Sequence, residues 1–192
     1  MDIKNIEELS DIDLVKLSLE NQGNYIFIVD RYEDKITRYI KRLGNLSNED
    51  IEDLLQDIFM KVYKNLNSFN LELKFSSWIY RIAHNETINK FKKNHNVNLD
   101  FDDIDFFINK MSDCIDCHKE DIEKTFDNKI SRIKINKVLS KMDIKYKEVL
   151  VLKFIEEKDY NEISDIIKKP VNTVGTLINR AKKQFKDIYE QE

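Results

Sequence analysis

Asn48-Glu49-Asp50-Ile51-Glu52-Asp53-Leu54-Leu55-Gln56-Asp57-Ile58-Phe59-Met60-Lys61-Val62-Tyr63-Lys64-Asn65-Leu66 is the stretch on which the fold turns. Ile51, Leu54, Leu55, Ile58, Val62 and Leu66 recur at spacings of three and four, the period of one helix face rather than of a strand. Ser47 or Asn48 supplies a side-chain oxygen able to cap that helix. The opposite face carries Glu49, Asp53, Gln56, Asp57, Met60 and Lys64, a mainly acidic surface that either faces solvent or meets a basic partner.

Upstream, Tyr25 to Leu43 repeats the helical period through Ile28, Val29, Tyr32, Ile36, Tyr39, Ile40 and Leu43, and Gly44 is a suitable stop. Asp11 to Glu20 predicts a short leading helix. Downstream, Asn67 to Lys74 is expected to loop, and Phe75 to Lys93 to form a helix that mixes aromatic with basic groups: Phe75, Trp78, Tyr80, Arg81, His84, Asn85, Lys90, Lys92 and Lys93. Such a mixture suits a single nucleic-acid strand, because aromatic faces stack on unpaired bases at about 1–3 kcal/mol each while cations follow the backbone. Trp78, Ile79, Ile82 and Phe91 at helical spacing equally describe a packed core.

The C-terminal stretch has a compact pattern. Arg132 to Ser140, Tyr146 to Phe154 and Asn161 to Ile167 each predict a helix, and Lys168-Lys169-Pro170 breaks the chain before a last helix from Val171 onward. Two short helices across a tight turn, the second carrying Asn172, Thr173, Thr176, Asn179, Arg180, Lys182 and Lys183, point to a helix-turn-helix; an ordinary hairpin with a solvated basic face is the competing description.

Between the two helical stretches, Asn96 to Asn128 holds ten acids against three lysines, whereas Ser131 to Glu192 carries fourteen Lys or Arg against ten Asp or Glu. The overall charge of −4 therefore hides an acidic middle that repels phosphate and leaves nucleic-acid contact to its flanks. With three Gly, one Pro, 41% apolar and 35% charged residues, the 192-residue chain has few breakers and a globular helical composition. The expected architecture is all-α: a helical domain over 1–95, an acidic linker over 96–130 and a helix-turn-helix domain over 131–192. Met1 to Glu20 is acidic without the apolar core of an export signal, and no stretch approaches the roughly 20 apolar residues of a membrane span, so no membrane insertion and a cytoplasmic location are expected.

Catalytic patterns are weak. No Gly-rich phosphate loop, HExxH pair or nucleophile elbow occurs, and the histidines are scattered at His84, His95 and His118. Cys114, Cys117 and His118 match the haem-attachment pattern CxxCH, but that chemistry needs export and an axial-ligand pocket; two free thiols in a linker are expected, with no metal and no cofactor.

Asn48 to Phe59, followed by Phe75-Ser76-Ser77-Trp78-Ile79-Tyr80-Arg81-Ile82-Ala83-His84-Asn85, resembles region 2 of the extracytoplasmic-function (ECF) sigma factors of the sigma-70 family. Tyr160-Asn161-Glu162-Ile163-Ser164-Asp165-Ile166-Ile167, then Pro170-Val171-Asn172-Thr173-Val174 and Asn179-Arg180-Ala181-Lys182-Lys183, resembles region 4 of the same family, in the same order. The resemblance implies a promoter-recognition subunit rather than an enzyme. Its partners would be core RNA polymerase (the clamp helices of the largest subunit and the flap region of the second-largest), promoter DNA and an anti-sigma factor. It implies that Asp53, Leu54, Gln56, Asp57 and Phe59 dock on the clamp helices. Ser68, Phe69, Asn70, Lys74, Phe75, Trp78, Tyr80, Arg81, His84, Asn85, Lys92 and Lys93 would recognise and melt the −10 element. Asn172, Thr173, Thr176, Asn179, Arg180, Lys182 and Lys183 would contact the −35 element, and the acidic linker would thread a positively charged cleft of the polymerase. The chain departs from the pattern at Gly175 and Leu177, where many members carry Lys or Arg, so its −35 element is expected to differ. A stand-alone helix-turn-helix regulator, and a thiol or haem sensor at Cys114, Cys117 and His118, are the alternatives.

Overall fold

The structure is a computed structural model that describes residues 6, 8–44, 46–93 and 137–191. The described residues form helices joined by turns and short loops, with no strand among them, and they fall into two compact units.

In the N-terminal unit, α1 (Asp11–Glu20) starts at a capping box, with Ser10 Oγ accepting from the Asp13 N–H and the Asp13 carboxylate accepting from the Ser10 N–H. A 3₁₀ turn (Gln22–Tyr25) leads into α2 (Ile26–Leu43), which buries Ile28, Tyr32, Ile36, Tyr39 and Ile40. Asp11 ties the two helices together: it accepts from Tyr32 Oη at 2.5 Å and from Arg31 at 3.0 Å. Arg31 also donates to the carbonyls of Leu9 and Ile6. Burial first, then the bond to Asp11, pushes the Tyr32 phenol above its ordinary range, so it stays a donor at any physiological pH.

α3 (Asn48–Asn65) starts at Ser47, whose Oγ accepts from the Asp50 N–H at 3.1 Å. It buries Ile51, Leu54, Leu55, Ile58, Phe59 and Val62, and the chain continues as a 3₁₀ turn (Leu66–Ser68) where a loop is expected from Asn67. Leu66 remains buried, which keeps the backbone turning for three more residues. α4 (Phe75–Lys93) packs against α3, and its first two turns close an aromatic cluster. Phe69 lies 5.3 Å from Phe75 and 5.1 Å from Trp78, while Phe75 lies 5.5 Å from Trp78 and 5.6 Å from Tyr32 between ring centroids. Offset and edge-on pairs at these separations add about 0.5–1.5 kcal/mol each to their burial.

In the C-terminal unit, Lys137 to Lys141 are helical; the rest of the helix expected over Arg132 to Ser140 lies outside the described residues. α5 (Ile144–Leu150) runs directly into a π turn (Val151–Ile155) closed by the Glu156 N–H on the Val151 carbonyl at 3.0 Å. The helix expected over Tyr146–Phe154 is thus two residues earlier at its start and wider at its end. The π turn packs one more residue into each revolution, so Val151, Leu152, Phe154 and Ile155 are all buried, a wider apolar arc than a regular α-turn gives. α6 (Tyr160–Ile167) carries a second capping box, Asp159 with Glu162. α7 (Val171–Tyr189) buries Val174, Ile178, Ala181 and Phe185.

The turn between α6 and α7 is closed by Lys168 at φ 53, with Ser164 accepting at its carbonyl from the Lys168 and Lys169 N–H groups and donating its hydroxyl to the Lys169 carbonyl at 2.6 Å. A lysine in the left-handed region is strained by roughly 1 kcal/mol relative to glycine. Gly175 errs in the opposite sense: it sits inside α7, and nothing lies within 4 Å of where a Cβ would stand. Lys168→Gly and Gly175→Ala should therefore each stabilise the C-terminal unit by about 0.5–1 kcal/mol. Urea unfolding midpoints at constant slope check this; a lower midpoint in either variant contradicts the geometry described.

Candidate nucleic-acid and partner interfaces

The exposed face of α3 follows from its buried one. Asp53, Gln56 and Asp57 point to solvent, as do Glu49, Glu52 and Met60, because they fill the positions between the inward Ile51, Leu54, Leu55 and Ile58. Leu54 and Phe59, which the family resemblance groups with the docking residues, are 4% and 8% exposed and belong mainly to the core. Their packing holds the acidic row in place. Lys90 of α4 faces that row. Its ammonium lies 2.6 Å from the Asp50 carboxylate and also feels Asp53 and Asp57; the bond with Asp50 raises Lys90 above and lowers Asp50 below their ordinary pKa values. A second pair, Lys61 with Glu86, bridges the same two helices.

Sequence reasoning missed a groove of about 500 Å³ between α2 and α3. Tyr25 at the end of the 3₁₀ turn, Val29 on α2, and Leu55, Phe59, Met60 and Tyr63 on α3 give it an apolar lining, and Glu33 and Glu52 add carboxylates. Tyr25 is fixed there by its hydroxyl donating to the Phe59 carbonyl at 2.8 Å and by an edge-on contact with Tyr63. That Val29 and Leu55 line one groove carries no local signal, since each residue only continues its own helical stripe.

The loop and α4 divide by burial. Phe69, Phe75, Trp78 and Tyr80 are 2–9% exposed. Their rings pack against one another or, for Tyr80, edge-on against Tyr39, so in this conformation they are core residues rather than open stacking faces. Ser68, Asn70 and Lys74 are exposed above them. The Asn70 side chain accepts from the Glu72 N–H at 3.0 Å, and the loop holds Leu71 and Leu73 in solvent at 41% and 49% exposure. Along α4, Arg81 and His84 are half-buried, whereas Asn85, Lys92 and Lys93 are exposed.

On α7, Asn172, Thr173, Thr176, Asn179, Arg180 and Lys183 are exposed, opposite the buried stripe. Lys182 is half-buried with its ammonium 5.3 Å above the Phe154 ring, a cation–π contact that turns its charge inward. Among the described residues, no group of three or more His, Cys, Asp or Glu is placed to hold a metal ion. No described helix is long and apolar enough to cross a membrane. The acidic segment, with Cys114, Cys117 and His118, lies outside the described residues.

Two family patterns match the chain: Sigma-70 region 2 over residues 28–97 and Sigma-70, region 4 over residues 132–185. The ECF RNA polymerase sigma factor SigW of Bacillus subtilis (strain 168) is 35% identical over 179 residues, covering 88% of this chain and 92% of that protein. The ECF RNA polymerase sigma-E factor of Haemophilus influenzae is 25% identical over 190 residues, 94% of this chain and 96% of its own length. Among solved structures, CnrH in complex with the cytosolic domain of CnrY shares the fold at a TM-score of 0.67 and 18% identity, covering 95% of this chain and 98% of that one. The sigma factor RpoE in complex with the anti-sigma factor NepR from Bartonella quintana does so at 0.58 and 16%, covering 84% and 94%. With both regions matched in order and a relative of this identity spanning most of both chains, the protein belongs to the ECF RNA polymerase sigma factors of the sigma-70 family and serves transcription initiation.

Proposed function

We propose that this sigma factor docks on core RNA polymerase through the exposed acids of α3, Asp53 and Asp57, with Gln56 between them. The observation that carries this reading is that a helix with a fully apolar inner face keeps an acidic row on its outer one, beside an apolar groove with two further carboxylates. A basic, amphipathic helical partner such as the clamp helices of the largest subunit complements both features. Leu54 and Phe59 act from beneath.

The loop residues Ser68, Asn70 and Lys74 capture an unpaired base of the −10 element, and Arg81, His84, Asn85, Lys92 and Lys93 grip the melted strand. Phe69, Phe75 and Trp78 form the floor under that loop, while Tyr80 packs on Tyr39 and holds α4 from within. Flipping a base costs a few kcal/mol, which contacts to its edge and faces must offset. In the helix-turn-helix, α7 meets the −35 element through Asn172, Thr173, Thr176, Asn179, Arg180 and Lys183, while Lys182 contributes less because Phe154 holds its charge. The domains are assigned as 1–95, 96–130 and 131–192, with the acidic middle lying in the basic cleft of the polymerase and region 4 near the flap of the second-largest subunit. No bond is made or broken by this chain: sigma factors are generally non-enzymatic, and the polymerase performs the chemistry in the cytoplasm. CnrH with the cytosolic domain of CnrY and RpoE with NepR support an anti-sigma partner for this chain as well.

Asp57→Lys should weaken binding to core polymerase by about 10- to 100-fold while shifting folding stability by no more than about 0.5 kcal/mol, because the site is exposed. Pull-down against core enzyme alongside thermal unfolding checks it, and normal affinity contradicts the docking surface. Trp78→Ala should cost about 3–5 kcal/mol of stability. Asn85→Ala, at an exposed position, should slow promoter opening without lowering Tm; an unchanged opening rate removes it from the melting surface.

A further inference from the structure

Ser47 and Lys90 hold the first carboxylate of the α3 row from two sides. Asp50, Asp53 and Asp57 are spaced by three and four residues, so each stands beside the next on the helix surface. Asp50 is half-buried: its Oδ2 accepts from the Ser47 hydroxyl at 2.8 Å, and its Oδ1 lies 2.6 Å from the Lys90 ammonium. Asp53 and Asp57 are exposed, and the charge of Lys90 reaches them through space rather than by a bond. Lys61, one turn beyond Asp57, is paired with Glu86 of α4 instead. Lys90 is fixed at its root, because Thr87 before it and Phe91 after it on α4 are buried.

An ammonium in this place works against the row. It neutralises one carboxylate, lowers the negative potential at the other two, and offers like charge to any cation that approaches them. Resting on the assignment of Asp53 and Asp57 to polymerase docking, we propose that Lys90 is an affinity-limiting residue of that surface: a counter-cation built into the fold that keeps the attraction for a basic partner helix below what the row alone would give. Asp50 is its anchor. By drawing the ammonium to the N-terminal end of the row, Asp50 keeps it off Asp53 and Asp57, so the two residues act in opposite senses: the cation weakens docking, and the anchor limits the weakening. A repulsive element of this kind narrows the choice of partner. A surface that is merely basic binds poorly, whereas one that also fills the apolar groove beside the row still docks.

Equilibrium binding of the full chain to core polymerase, measured over a series of salt concentrations, tests this. Lys90→Met keeps the apolar stem and removes the charge; it should bind about twofold to fivefold more tightly than wild type at about 0.1 M salt, and the gain should fade at about 0.5 M as screening shortens the reach of the charge. Lys90→Gln should do the same. Lys16→Met, which removes an exposed cation on α1, should give no gain, so that a local effect is told apart from net charge. Asp50→Asn should weaken binding, and that loss should disappear when Lys90 is also Met. Because the change expected at Lys90 is a gain, damage to the fold does not imitate it. Unchanged or weaker binding by both Lys90 variants with wild-type unfolding midpoints overturns the role of Lys90, as does an equal gain in Lys16→Met or a gain that persists at high salt. A loss in Asp50→Asn that remains without Lys90 makes Asp50 a direct polymerase contact and overturns its role as anchor. Normal core affinity in Asp57→Lys instead removes the docking surface itself, and this role of Lys90 with it.

Discussion

The packing of α3 against α4 is the constraint on which the N-terminal unit rests. Ile51, Leu54, Leu55, Ile58, Phe59 and Val62 leave water on one side of α3, and each such side chain contributes about 1.5–3 kcal/mol of transfer free energy. Once that stripe is committed inward, Asp53, Gln56 and Asp57 have only the outer face to occupy. Their role as a partner surface thus follows from burial of their neighbours. Phe69, Phe75 and Trp78 serve the loop before α4 in the same way: packed together beneath it, they let Ser68, Asn70, Leu71, Leu73 and Lys74 stand in solvent on a firm base.

Electrostatics refine that arrangement rather than create it. Lys90 pairs with Asp50 at one edge of the acidic row and Lys61 pairs with Glu86, both across the α3–α4 boundary. Exposed pairs of this kind contribute at most about 1 kcal/mol. Their larger effect is on what remains: Lys90 is occupied by the acidic row, and Lys92 and Lys93 are left as the exposed cations at the end of α4. In α7, likewise, the turn at Lys168 and Pro170 sets where the helix starts, and its buried stripe leaves an outer arc of two amides, two hydroxyls and two cations.

Much of this was legible in the residues alone. Asp11–Glu20 and Phe75–Lys93 coincide with the helices expected there, and the α3 stripe is buried at all six expected positions from Ile51 to Leu66, because helical periodicity and side-chain caps are local signals. Which aromatic is floor and which is contact was not legible. Trp78 and Tyr80 suit a strand-binding face by composition, and only the approach of Phe69 and Tyr39 shows them to be enclosed. The π turn at Val151–Ile155 has no sequence signature distinct from an ordinary apolar turn. The α2–α3 groove and the Asp50–Lys90 pair join residues more than twenty positions apart, beyond any local pattern. Family resemblance supplied the roles, while the structure sorts its residues into those that face outward and those that hold them there.

The central claim is that this chain directs polymerase to particular promoters and does not act on DNA alone. In vitro transcription with core polymerase on a random-sequence upstream library, run with and without the protein, tests it most directly. Transcripts that depend on the protein and start downstream of paired −35 and −10 elements are the predicted result. An absence of protein-dependent transcripts, together with sequence-specific duplex binding by the chain alone, would contradict it.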